Sequence, residues 1–599
     1  MEATHKPSDA SAVMKEDYGV VSVEKPESGS GRTSNEEQQA PSNAQSTSSD
    51  DEEQGQLDGR SKAEISIIMF ALSLACFLAA LDTSIVATAL PVIAEHFQAA
   101  TSYSWVGSAY LLAHAAGTGL WAKWSDIFGR KPSLIVANIV FFVGSLVAAV
   151  SNSIGMLIAG RAIQGAGGGG LVTLVDVIIA DLFSVRTRGM YLGIVSGVWA
   201  IASALGPVVG GALTQGASWR WCFWINLPLD AIAIAVIVFF LKVQTPRTPF
   251  WQGLKAVDWL GTFSMIGGTL LFLFGLHYGG ITFPWDSATV ICLIVFGIVL
   301  FAAFVAIEWK FAKLPILPLR MFKARSNWAS LVAEFFHALA SMGMYFYLPF
   351  YFQSVKGRSP LMSGVLLLPN VVATSLGAAM TGGYIAGTGN YWGFMVGGFV
   401  LMTLGIGLFI DLGVDSNMAK IVLYQIVAGL GTAPNYQALL VALQTNIRQD
   451  DVAAGTAAYN FIRGLGVSIS LVVGQALFTN EFKKQVPGLV TELGAEAAAP
   501  FTSHSVEASI PYINQLADAP KYLVRQALSV ALRNMWILYT VFAAGGLVFS
   551  LLVKRYVLTI EHTETEVGLE AQRRNEEQYK AEQLAKKEEK KMQKQQSAN

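Results

Sequence analysis

The chain has 599 residues with 41 basic and 42 acidic side chains, and 53% of it is hydrophobic against 14% charged. Residues 1–64 and 561–599 hold 20 and 17 of the charges, leaving 46 in the 496 residues between, about 9% where a soluble domain carries about 25%. So few charges cannot cover a soluble surface of that size, which puts the middle of the chain in lipid, and a net charge of −1 excludes the basic face of a nucleic-acid binder.

Residues 1–64, rich in Ser, Glu, Asp and Gln, bury too little apolar surface to order themselves and read as a disordered tail. Apolar runs of spanning length, about 20 residues, then recur. Fourteen are read: 65–90, 104–122, 132–150, 154–180, 190–213, 221–241, 258–278, 288–308, 327–352, 360–386, 393–411, 419–440, 455–478 and 535–556. With the N-terminus inside, the inner short connections hold 14 Lys and Arg and the outer ones 4, which predicts cytoplasmic termini on a multi-pass protein. A long outer loop is expected over 479–534, and residues 561–599 read as a charged, solvated tail, helical in part, with a basic run from Lys586 to Lys591. The three cysteines, Cys76, Cys222 and Cys292, lie in apolar runs and suggest neither a disulfide nor a zinc site.

In span 1, Asp82 stands alone among apolar residues in Leu81-Asp82-Thr83-Ser84-Ile85-Val86. An intramembrane acid is a candidate proton carrier, because burial favours its neutral form. The connection after span 2 packs Asp126, Gly129, Arg130 and Lys131 together. Gly129 suits a tight turn, and Asp126 is expected to latch onto a cation or helix N-terminus of the neighbouring half. Span 4 carries Arg161-Ala-Ile-Gln164-Gly165-Ala-Gly167-Gly-Gly-Gly170, an arginine that needs a partner and glycines that admit a close helix. Span 5 carries Gly206-Pro207-Val-Val-Gly210-Gly211, a proline kink beside glycines expected to meet a helix of the other half.

Helix parity gives each charge a depth. Asp82 and Arg161 both fall roughly 10–12 Å below the outer surface at 1.5 Å per residue. Glu334, with His337 one turn on, matches Arg463 near the inner side. The two acid–base pairs are the proton-coupling candidates, with Asp82 favoured. Gln164, Phe335, Phe336, Tyr345 and the run Asn435-Tyr436-Gln437 are candidates for lining a substrate cavity, while Asp176 reads as an interfacial residue and His114 and His277 as satisfied polar groups.

These segments, in this order, resemble the major facilitator superfamily. The Asp126 connection is similar to its signature between spans 2 and 3, and Gly-Pro-x-x-Gly-Gly to that of proton-coupled antiporters. The span 1 run and Trp219-Arg-Trp-Cys-Phe-Trp-Ile-Asn226-Leu-Pro228 resemble the fourteen-span drug:H⁺ antiporters of fungi. Ala122, Trp124 and Ala202 depart from the family pattern, and the corresponding connection of the second half, Gly383 to Gly389, lacks the acid and cations.

The resemblance implies an all-α membrane fold with six-helix halves over 65–241 and 327–556, two helices inserted over 258–308, and rocking about a central site. It implies a proton-coupled exporter of small amphipathic drugs or secondary metabolites in the cell membrane, working as a monomer. Its partners are a small-molecule substrate, protons and the bilayer, with no nucleic acid. Two alternatives stand: a vacuolar or plasma-membrane transporter of basic amino acids or siderophores, and a transporter-like sensor. No metal, nucleophile–base or nucleotide motif is present in the sequence, so no enzyme activity, metal or cofactor is expected.

Overall fold

A bilayer offers exposed peptide groups no hydrogen-bond partner, so apolar runs of this length fold as helices that satisfy their own N–H and C=O groups. The computed structural model describes residues 61–97, 104–243, 246–280, 282–503, 510–559 and 566–598. Helix α1 spans Lys62–His96, α2 Ser104–Phe128, α3 Arg130–Ala149, α4 Ile154–Leu182 and α5 Val185–Gly216. After a turn of helix at Trp221–Trp224 comes α6, Asn226–Phe240. A short helix, Phe250–Ala256, leads to α7, Trp259–Tyr278, and α8, Ala288–Lys310. Then follow α9 (Arg325–Ser354), α10 (Pro360–Thr388), α11 (Trp392–Leu408), α12 (Met418–Thr445), α13 (Val452–Leu493) and α14 (Asp518–Ser550). A last helix, α15, covers Leu569–Ala598.

Among the described residues, 13 helices are long and apolar enough to cross a membrane. The predicted span outside that set is α2, long enough at 25 residues but diluted by His114, Lys123 and Asp126. It packs on α4, α7 and α13, so it needs little lipid-facing surface.

Helices α1–α6 pack chiefly on one another, and so do α9–α14. The two groups meet along α5 with α10 and α12, and along α13 with α2 and α4. Helices α7 and α8 form a pair, of which α7 leans on α2 and α13. The hydrogen bonds that join the groups sit towards the end that carries Asp126. Arg186 Nε donates to the Ala386 carbonyl (2.7 Å), Arg188 Nη1 to Gln444 Oε1 (3.1 Å), and Asn460 Nδ2 to Asp176 Oδ2 (3.0 Å). Ala122, Val177, Ala453 and Ala457 close the apolar seam there. The molecule is shut at this end.

Three expectations change. Helix α1 already begins at Lys62, started by a capping box in which Ser61 and Glu64 bond each other's backbone, so the expected tail is shorter, and residues 1–60 lie outside the described residues. Most of the loop expected over 479–534 is helix, because α13 runs to Leu493, two short helices follow, and α14 starts at Asp518. The C-terminal tail, helix α15, is not solvated throughout, because its start is docked on the Asp126 end.

Candidate functional site

Asp82 sits midway along α1, wholly buried. Its Oδ2 pairs with Nη1 of Arg161 on α4. Its Oδ1 accepts from Gln164 Nε2 (2.7 Å) and Asn226 Nδ2 (2.9 Å). Arg161 is equally committed: Nε donates to the Val106 carbonyl (2.9 Å), Nη1 also reaches Gln164 Oε1 (2.6 Å), and the guanidinium lies 4.4 Å from the Tyr110 ring centroid. The glycine run makes this approach possible, since a Cβ on Gly165 would strike the Tyr110 carbonyl and one on Gly169 would come within 2.5 Å of the His114 carbonyl. Both carboxylate oxygens of Asp82 are occupied by donors, and Arg161 is only 1% exposed.

The second pair is built differently. Glu334 on α9 is also wholly buried. Its Oε2 accepts from the Tyr459 hydroxyl (2.8 Å) and lies 3.2 Å from His337 Nδ1. The other imidazole nitrogen, Nε2, lies 3.2 Å from the Thr432 carbonyl. A carbonyl only accepts, so Nε2 donates, and the contact between Nδ1 and Oε2 is then a bond only if a proton sits on one of them. The contact therefore has room for one proton. Glu334 Oε1 makes no hydrogen bond among the described residues and faces Arg463 Nε at 3.3 Å.

The Arg463 side chain keeps 28% of its surface exposed. It lies over the Tyr436 ring at 4.8 Å and the Tyr459 ring at 5.9 Å. Its neighbour Gly464 abuts Ala115 of α2, so this cluster stands at the seam between the groups.

The structure thus brings together both acid–base pairs expected from depth. Several other expectations are corrected. Asp126 pairs with Arg130 (2.6 Å), which also holds Asp181 (2.6 Å), so the expected latch to the other half is a clamp within one group. Gly129 makes the expected turn at φ 98°. Lys131 is half-buried and donates to the Val238 carbonyl. Gly206 and Gly210 face Ser84, Ile85 and Thr88 of α1, not the other group, because the i and i+4 positions of α5 point that way, while Gly211 faces open space. Pro207 does look across, towards Gly364 of α10. Asp176 is buried at the seam, not interfacial.

Of the cavity candidates, Tyr436 adjoins Arg463, and the Tyr345 hydroxyl reaches Thr374 of α10. Gln164 is consumed by the Asp82 cluster. Phe336 stacks on Phe549 of α14 with centroids 5.7 Å apart, and Phe335 runs along Gly466 of α13. Asn435 is packed against Gly398 of α11, and Gln437 donates to the Ala378 carbonyl (2.6 Å). Sequence reasoning missed Tyr459, whose spacing of four from Arg463 on one helix was the available signal. It also missed the role of Asn226, which stood in a motif already singled out.

Residues 72–471 match the Major Facilitator Superfamily. The efflux pump dotC of Dothistroma septosporum (strain NZE10 / CBS 128990) is 55% identical over 88% of this chain and 90% of its own. The MFS-type transporter ppz2 of Metarhizium majus is 48% identical over 86% and 89%, and the efflux pump FUS6 of Gibberella fujikuroi 35% over 85% and 92%. Among solved structures, the proton:xylose symporter XylE superposes with a TM-score of 0.52 at 13% identity, over 84% of this chain and 99% of that one, which speaks to the fold alone. With its apolar helices, its two packed groups and these relatives, the chain belongs to the major facilitator superfamily and is a multi-pass membrane transporter of small molecules, not an enzyme.

Proposed function

We propose that the protein is a proton-coupled exporter of small amphipathic metabolites that works by alternating access, with Glu334, His337 and Arg463 carrying the coupling. The observation behind this reading is a buried acid that shares a proton seat with a histidine and touches a part-exposed arginine at the seam. Protonating the Glu334–His337 pair removes the negative charge that holds Arg463, and the freed guanidinium changes what the seam binds. Export, rather than import, is supported by the relatives that carry the name efflux pump. A part-exposed cation in the seam disfavours a cationic cargo such as a basic amino acid.

The Asp126 end is the cytoplasmic one in this reading, because the short connections on that side hold 14 basic residues against 4. The cell membrane is the setting, and one chain suffices, since it supplies both groups and the site between them. One pH unit contributes about 1.4 kcal/mol per proton, and 100 mV about 2.3 kcal/mol per charge. Together they sustain a several-hundred-fold gradient of a neutral cargo.

The test is Glu334→Gln, which preserves shape and cannot ionise. In proteoliposomes it should bind cargo yet lose uphill export driven by an imposed pH gradient. Uphill export by this variant at the parent rate refutes the coupling assignment.

A further inference from the structure

The C-terminal segment does something that neither membership of the family nor the coupling site requires. Residues 566–579 touch both groups at the end that is shut. On the first group's side, the Gly568 N–H donates to the Asp126 carbonyl (2.8 Å) and the Leu569 N–H to Thr248 Oγ1 (3.3 Å). Thr248 itself donates to the Ile127 carbonyl (2.8 Å), Leu569 is 5% exposed, and Lys123 Nζ reaches Gln572 Oε1 (2.9 Å). On the second group's side, Asn575 Nδ2 donates to Asp450 Oδ1 (2.8 Å) and Glu576 Oε2 pairs with Arg320 (2.8 Å). The Tyr579 ring lies under Arg320 at 4.3 Å and Arg448 at 5.3 Å.

Gln572, Asn575, Glu576 and Tyr579 follow the i, i+3, i+4, i+7 spacing of one helix face. We propose that this face of α15 is a clasp that holds the transporter shut at the Asp126 end, and that it lets go of the second group each time that end opens. The two anchors differ in the way such a device needs. The first rests on two backbone N–H donors and a buried leucine, with one side-chain bond from Lys123 to Gln572. The second is side chains only, and each of its receptors has a standing partner. Arg320 keeps two bonds to Asp451 (both 2.8 Å), and Asp450 keeps Arg448 (2.9 Å). Releasing Glu576 and Asn575 therefore strands no buried charge, and the grip can be made and broken reversibly. Burial alone would lower the Arg320 pKa, but Asp451 and Glu576 raise it, so the receptor stays cationic throughout.

The reporter is Ala457→Cys, placed in the seam where Ala457 is 3% exposed beside Ala122 and Val177. Maleimide labelling in detergent, without cargo or pH gradient, is compared with the same chain lacking that cysteine. A chain ending at residue 565 should label about fivefold faster than the full chain. A full-length chain with Asn575→Ala and Tyr579→Ala should label at an intermediate rate. Unchanged labelling in both overturns the clasp. In a separate chain with Asp450→Cys and Asn575→Cys, a short reducible thiol crosslinker should stop export and a reductant restore it. Undiminished export through the crosslink also overturns the proposal. The labelling needs no coupled transport, so it stands apart from the fate of the Glu334 assignment.

Discussion

The two buried carboxylates, Asp82 and Glu334, share burial, a helix interior and an arginine partner, and they differ in everything that decides whether a proton can move. Asp82 has both oxygens filled by donors, and its arginine is 1% exposed. Glu334 has one oxygen without a hydrogen bond among the described residues, shares the other with a histidine, and faces an arginine with a side chain 28% exposed. A charge whose partners are all fixed specifies packing. A charge whose partner set is incomplete can respond to cargo or proton. This difference is why the proposed coupling role goes not to the acid that stands alone in the sequence but to the one with a histidine three residues on.

The sharpest way to break this comparison is Asp82→Ala. It leaves Arg161 buried and unpaired, a loss of about 3–5 kcal/mol, and should appear as loss of monodisperse protein and a lowered Tm in detergent. A well-folded Asp82→Ala chain that transports without coupling would reverse the two roles. Gly210→Leu attacks the same framework from α5, where the new side chain meets Ile85 and Thr88. Overpacking of this sort costs about 1–3 kcal/mol, so the expected result is a lowered Tm, with no passive leak in a proteoliposome flux assay, because the contact lies within one group. The smallest effect on stability belongs to Arg463→Gln. It leaves Glu334 buried without its cation, but the carboxylate keeps the Tyr459 hydroxyl and the His337 contact, so Tm should fall less than in Asp82→Ala while cargo export is lost. A large fall in Tm would make Arg463 a packing residue like Arg161.

Much of this was legible beforehand. Parity and spacing placed Asp82 with Arg161 and Glu334 with Arg463, because helix rise converts residue count to depth. The rotation of each helix about its axis was not legible. That rotation turns Gly206 and Gly210 towards α1, gives Gln164 to Asp82 instead of a cavity, and keeps Arg130 within its own group. Composition misjudged the C-terminal tail. A charged segment reads as solvated on average, yet four residues at helical spacing are enough to seat it.

Helix α13 has 42 residues, so it is roughly 63 Å long at 1.5 Å per residue, about twice the hydrocarbon thickness. It carries Asn460 and Arg463 near its start and runs on to Leu493. That geometry makes it a lever arm. From Arg463 to Lys484 is roughly 31 Å along the axis, so a tilt of about ten degrees at the seam would displace Lys484 by about 5 Å. A small rearrangement around one buried glutamate would thereby be written, magnified, on the opposite face of the membrane.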